Sequence, residues 1–307
     1  MVKAQVTTPT YLRLGVIDFY DRILEFGLAV EDPRITIEVQ ESESGEAKIE
    51  CMRDINDDLC NLALKSLQYQ SPIHRENRDS KRYNVIIKSL PQTFGTDEAN
   101  LLKLAVETAL NLLSRKIQPI REIAAKIGLY PNNIFSVAMF EYGGFLETMT
   151  LKNLGVGAPI FRTQLPTNLR VVIIGSKNNI SKNNEVGLSH STQRYKVLEA
   201  LYEFKLFSMM RDYNGLLKAL SKLSEIMEYK DNYSIDAFSK IIENVKKLGI
   251  ARYIALDATG LRLIIILPPT APSKTLCVIR NLIEQELFHI TTTVPRNNGS
   301  LIRIVEG

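Results

Sequence analysis

At 307 residues the chain has room for one large domain or two smaller ones, each with a core of its own. It is 45% hydrophobic and 23% charged, and 38 basic against 34 acidic residues leave a net charge of +4 spread along its length. That excess is too thin and too even for a nucleic-acid binder. With no apolar signal core at the start and no apolar run of the ~18 residues a membrane span needs, the expectation is a cytoplasmic globular protein without nucleic-acid or membrane partners.

The first third reads as β. "KAQVTTPTYLRLGVIDF" predicts one strand and a second beginning near Leu12, and "FGLAVED" and "RITIEVQES" predict two more, the latter alternating Ile35, Ile37 and Val39 with polar residues. A polar turn and a short strand precede a helix over 54–69, and "YNVIIKSLP" is a strand that stops at Pro91. The basic stretch "RENRDSKRY" is interrupted by Glu76 and Asp79 and reads as a solvated loop. Three cysteines, Cys51, Cys60 and Cys277, are an odd number without CxxC spacing. Reduced, buried thiols are therefore expected, not a disulfide scaffold or a zinc site.

"PQTFGTDEANLLKLAVETAL" (91–110) is a short glycine-containing loop running into a helix, the layout of a phosphate-binding turn. The free N–H groups and dipole of a helix N-terminus favour an anion. Here the single Gly95 is followed by Asp97 and Glu98, so the protein supplies its own anion as a cap. Leu101, Leu102, Leu104, Ala105, Ala109, Leu112 and Leu113 then form a broad apolar face for packing on a sheet. A second helix starts near Pro119 and closes at Gly128. Residues 133–149 read as helix or strand running into the Gly143–Gly144 turn and a hairpin strand.

"LRVVIIGS" is a buried strand, "KNNISKNNEVGLS" a long polar loop, and Thr192 to about Leu248 is helical. A strand–turn–strand over 252–269, an amphipathic helix over 273–287 and a final strand complete the chain. Strands and helices come in blocks, which predicts an α+β protein of two lobes, 1–165 and 166–307, the second ferredoxin-like.

Several stretches, in order, resemble the β-ribofuranosylaminobenzene 5′-phosphate synthases of the GHMP kinase superfamily. "TPTYLRLGVIDF" is similar to their opening PARLHLGLIDL, "EFGLAVEDPRITIEV" to GIGLALDEP and its strand, and "VAMFEYGGFLETM" to AAFEYGGFIVDG. "VGLSHS" resembles GLSG, and "TTTVPRNNGSLIRI" a VTRPDNEGARV-like end. The resemblance implies a two-lobed GHMP-kinase-like fold and an archaeal role in methanopterin-type pterin biosynthesis. The reaction it implies joins an aromatic acid to phosphoribosyl pyrophosphate with loss of carbon dioxide and pyrophosphate. It implies Mg2+ on the pyrophosphate if the protein is active; ATP is not expected, because Asp97 and Glu98 put negative charge where its phosphates would sit.

The departures fall on the glycine motifs. The family's HVGLGSGTQ-like loop falls on residues 93–101, where Gly95 matches while Asp97 and Glu98 stand for the second glycine and the serine. Its GRGGTSGIG-like stretch becomes "GLYPNNIFS", and its FGPT-like turn becomes "DATGLRL", keeping Gly260. The family's Arg and His in the opening strand become Tyr11 and Arg13.

The candidate site residues follow. Asp18 is a cleft carboxylate or a strand end, and Arg13 a bidentate phosphate ligand or an exposed strand arginine. Glu141 precedes the Gly143–Gly144 turn, which serves either the fold or the substrate. Among the scattered histidines His74, His190 and His289, no metal cluster is expected, and His190, after "GLS", joins Asp18 and Glu141 as the catalytic candidates. Gly95, Gly143, Gly144, Ser189 and Gly260 are the remaining substrate-binding candidates. Two functions stand open: a divergent synthase, or a catalytically inactive paralogue acting as an interaction or regulatory partner. The expected assembly is a homodimer or a pair with a homologue.

Overall fold

The computed structural model describes residues 2–43, 46–68, 82–176, 191–227, 235–258, 262–283 and 287–306. Its backbone is an antiparallel ribbon of two long strands, β1 (Val2–Asp18) and β2 (Arg22–Glu41). Each had been expected as two strands. They run on through two register shifts, a one-residue bulge at Arg13/Gly15 and a larger irregularity at Pro9/Thr10, without ending the pairing. The first half of β1 alternates buried and half-exposed residues, whereas Thr8 to Ile17 are buried without interruption. That switch marks where the strand becomes covered on both faces.

The ribbon lies in a seven-stranded sheet with β3 (Lys48–Cys51), β4 (Tyr83–Ser89), β5 (Phe145–Leu151), β6 (Val156–Thr163) and β11 (Leu301–Glu306). One face packs on α1 (Asp57–Gln68), α2 (Thr96–Leu113), α3 (Ile120–Lys126) and α4 (Ile134–Tyr142), through Ala4, Val6, Tyr11, Ile37, Leu101, Ala105, Phe135 and Phe140. Residues 133–149 thus resolve into helix then strand, with Gly143 and Gly144 at the break. Both have positive φ, 62° and 79°, and a Cβ on Gly143 would lie 2.3 Å from the Asn298 carbonyl oxygen. The turn is glycine because the chain passes itself there.

The second sheet has the order β10 (Phe288–Thr293), β7 (Arg170–Ser176), β9 (Arg262–Leu267), β8 (Tyr253–Leu256), all antiparallel. With α5 (Ser191–Met209), α6 (Tyr213–Met227) and α7 (Ile235–Lys247) between β7 and β8, and α8 (Lys274–Asn281) between β9 and β10, this is the β-α-β-β-α-β ferredoxin-like unit. Its near face shares one core with the first sheet: Leu12, Leu14, Phe26 and Leu28 meet Val171, Ile264, Phe204 and Leu220. Val172, Ile265, Phe238 and Ile279 form a separate core on the far face. The last strand, β11, returns from the C-terminal end to pair with β1 in the first sheet.

The cysteine expectation is corrected. Cys51, at the end of β3, is bonded to Cys60 in α1, and Cys277 is free but exposed. The turn from strand to helix brings the two Cα atoms to 6.1 Å, a proximity that a count of cysteines and their spacing does not reveal. Among the described residues no helix is long and apolar enough to cross a membrane.

Candidate functional site

The site starts at Gly95, the N-cap of α2, whose own N–H donates to Glu98 Oε2 at 2.9 Å. Glu98 thereby reaches back onto the cap as the carboxylate half of a capping box. Its other oxygen, Oε1, accepts from Arg262 Nη1 at 2.7 Å, and Arg262 Nε donates to Asp257 Oδ2, also at 2.7 Å. Asp97 points elsewhere and accepts from Arg13 Nη2 at 2.5 Å, while Arg13 Nη1 lies 2.9 Å from Glu25 Oε1. The Arg13 guanidinium also sits over the Phe135 ring, 5.6 Å from its centroid.

Every member is buried: Arg13 is 6% exposed, Arg262 5%, and Asp257 fully enclosed. Two guanidiniums thus face four carboxylates in a dry site. Arg13, Glu25, Asp97 and Glu98 come from the first lobe, Asp257 and Arg262 from the β8–β9 connection of the second. The same junction carries Ala258 N–H to Arg13 O at 2.8 Å and Tyr253 Oη to Leu14 O at 3.3 Å. Charge pairing and backbone hydrogen bonds therefore clamp the lobes together along β1.

Burial, aided by the Asp97 charge, pushes the Glu98 carboxyl above the ordinary carboxylate range, against the pull of Arg262. Burial opposes the charge on Arg262, but Glu98 and Asp257 outweigh it and keep the guanidinium protonated. Burial also raises the Tyr11 phenol, and the Asp97 charge adds to it; the hydroxyl is 2.6 Å from Ser136 Oγ. Because the Glu98 pKa is higher folded than unfolded, the folded state binds more protons between the two values, and stability falls as pH rises through that window. Glu98→Gln should flatten this falling limb. Urea unfolding of both proteins across pH 4 to 8 measures it, and parallel curves would remove Glu98 as the source.

Among the described residues, the space beside this cap is narrow. The loop before α2 presses on the second sheet, where a Cβ on Gly175 would meet Thr93 Cγ2 at 2.3 Å. The adjoining crevice, lined by Thr10, Gln92, Thr93, Gly175, Arg262 and His289, measures about 10 Å³, space for about one water. The network also suits Mg2+ poorly, since the carboxylates that would ligate it are already turned onto guanidiniums. Among the described residues no group of three or more His, Cys, Asp or Glu is placed to hold a metal.

Among the described residues, the sequence-predicted candidates lie at separate places in the fold. Arg13 is buried in the network, and its exposed-strand reading is corrected. Asp18 lies five residues further along β1, exposed, and pairs with Lys152. Glu141 is exposed at the end of α4. Gly143 and Gly144 are engaged by the chain itself, Gly144 N–H donating to Arg296 O at 2.7 Å. His74, Ser189, His190 and Gly260 lie outside the described residues. Sequence reading missed Glu25, Asp257 and Arg262. The signal was available: each is a charge set in or beside an apolar strand, "ILEFGLAV" and "YIALDATGLRLIIIL", where an unpaired charge is not tolerated.

A two-lobed α+β fold with an anion-favouring helix N-terminus between the lobes defines the class, and the fold is that of the GHMP-type kinases. Homoserine kinase from Cytophaga hutchinsonii superposes with a TM-score of 0.64 at 13% identity, covering 98% of this chain and 97% of its own. Mevalonate kinase from methicillin-resistant Staphylococcus aureus gives 0.62 at 14%, covering 97% and 100%. Mevalonate diphosphate decarboxylase from Staphylococcus aureus gives 0.58 at 13%, covering 100% and 99%. In sequence the chain is 28% identical over 155 residues to β-ribofuranosylphenol 5′-phosphate synthase of Methanocaldococcus jannaschii, a match spanning 46% of this chain and 45% of that relative. No family model matches the chain.

Proposed function

We propose that this chain is a divergent phosphoribosyl-transferring synthase and not an ATP-dependent kinase. The observation that carries the reading is the head of α2, where a kinase of this fold would need open backbone N–H groups and this chain has Glu98 on Gly95 and a crevice of about 10 Å³. The partial similarity to β-ribofuranosylphenol 5′-phosphate synthase supports the choice of reaction. In the proposed reaction an aromatic ring carbon bonds to C1′ of the ribose while the C1′–O bond breaks and pyrophosphate departs with its electron pair. The carboxylate then leaves as carbon dioxide and returns its bonding pair to the ring. Mg2+ would enter with the pyrophosphate as part of the donor. Methanopterin-type biosynthesis is the proposed setting, and Asp18, Glu141 and His190 remain the proposed catalytic groups.

The second reading is an inactive paralogue that pairs with itself or a homologue. In its favour is the same buried network, which uses the site's arginines to hold the lobes together. Calorimetry with phosphoribosyl pyrophosphate and Mg2+, and separately with magnesium–ATP, tests the proposal. Donor binding with no ATP binding is expected, with labelled carbon dioxide released from carboxyl-labelled 4-hydroxybenzoate. Low-micromolar ATP binding would refute the reading. Donor binding without carbon dioxide release would favour the inactive paralogue.

A further inference from the structure

A second opening lies away from the network, where the end of β6 meets the α5–α6 turn. It is a polar bowl of about 560 Å³ walled by Arg162, Thr163, Gln164, Ser208, Arg211 and Tyr213, with Phe207 and Leu216 also lining it. Arg162 is already fixed: its Nη2 donates to Tyr142 O and Asn297 O, both at 2.9 Å, and its guanidinium lies over the Tyr142 ring. Its Nε and Nη1 hydrogens remain to meet a ligand. The Thr163 and Ser208 hydroxyls are hydrogen-bonded to each other across the wall.

No carboxylate among the described residues pairs with either arginine. The nearest acid in sequence, Asp212, is occupied as the cap of α6, its Oδ1 accepting from the N–H groups of Asn214 and Gly215. Arg211 also holds a left-handed backbone, φ 56°, at the end of α5. Glycine is the ordinary residue for that position, and a long cationic side chain there carries a backbone cost that points to use of the charge.

We propose that this bowl is an anion site for a phosphorylated sugar, with Arg162 as the preset half of the clamp and Arg211 as the exposed half. Paired guanidiniums match the geometry of phosphate oxygens, and a cavity of this size accommodates a pentose phosphate. The bowl borders the turn that "EYGG" forms, since Tyr142 O is what holds Arg162. As the donor's phosphate site it rests on the synthase reading; as an anion site it does not.

The test uses Arg211→Gly, which removes the charge while giving the left-handed position the residue that suits it, so the variant should melt no lower than the parent. Calorimetry with phosphoribosyl pyrophosphate, ribose 5-phosphate and inorganic pyrophosphate should show at least tenfold weaker binding in Arg211→Gly and an intermediate value in Arg211→Lys. Donor binding unchanged in Arg211→Gly would overturn the bowl and leave the synthase reading standing. Pyrophosphate or ribose 5-phosphate binding that depends on Arg211, with no binding of the donor, would uphold the bowl and sink the synthase reading. Absence of binding by all three anions at low millimolar concentration overturns the proposal.

Discussion

Arg262→Met should cost about 3–5 kcal/mol of folding stability, the range for removing one partner of a buried ion pair. The side chain it replaces engages two buried carboxylates at once, Glu98 at 2.7 Å and Asp257 at 2.7 Å. Without it Asp257, fully enclosed, and Glu98, 3% exposed, stay dry with no guanidinium between them. Arg262→Lys should restore little, because a single ammonium cannot present the fork that now serves two acids. Denaturant unfolding reads both variants. A loss below about 1 kcal/mol for Arg262→Met would mean that the cluster relaxes or hydrates, and the clamp between the lobes would lose its physical basis.

The second large effect is expected from Asp97→Gly combined with Glu98→Ser. On the sequence alone this restores a glycine-rich turn and forfeits one helix cap, worth about 1 kcal/mol. The structure changes the expectation, because the pair also strips Arg13 and Arg262 of one carboxylate each. The double variant should lose several kcal/mol, in the range for broken buried pairs. It should also acquire what the parent lacks: two under-compensated guanidiniums at a helix N-terminus, the setting of an anion site. Sulfate or pyrophosphate should therefore raise its melting temperature in a concentration-dependent way, and raise that of the parent far less. Equal stabilisation of both proteins by the anion would show that the carboxylates do not occupy a phosphate-like position.

These expectations depend on which parts of the molecule were legible in advance. The loop and helix over 91–113 were, since a glycine, two acids and a broad apolar face lie within one local window, and Glu98 does close on Gly95 as a cap. Asp97 carries the same charge one residue earlier, but its partner is Arg13, 84 positions away. The partner of Glu98, Arg262, is 164 positions away. Nothing in the neighbourhood of either acid records those distances. Asp18 stands out in the sequence because it follows "GVI" on a matched strand, but its pairing with Lys152, 134 positions away, is not recorded there.

The sequence by itself determined the elements that rest on short-range periodicity: the buried strand over 170–176, the helical middle, the strand–turn–strand over 252–269, and the ferredoxin-like order of the second lobe. Those are set by side-chain spacing and turn residues within a few positions of one another. Tertiary structure alone decided that β11 returns to β1, that Cys51 and Cys60 are joined, and that Arg13 and Arg262 serve the protein's own acids. Such pairings are chosen when the lobes close and water leaves. A charge then takes the partner that burial places beside it, because in a dry junction an unpaired charge costs more than any local preference contributes.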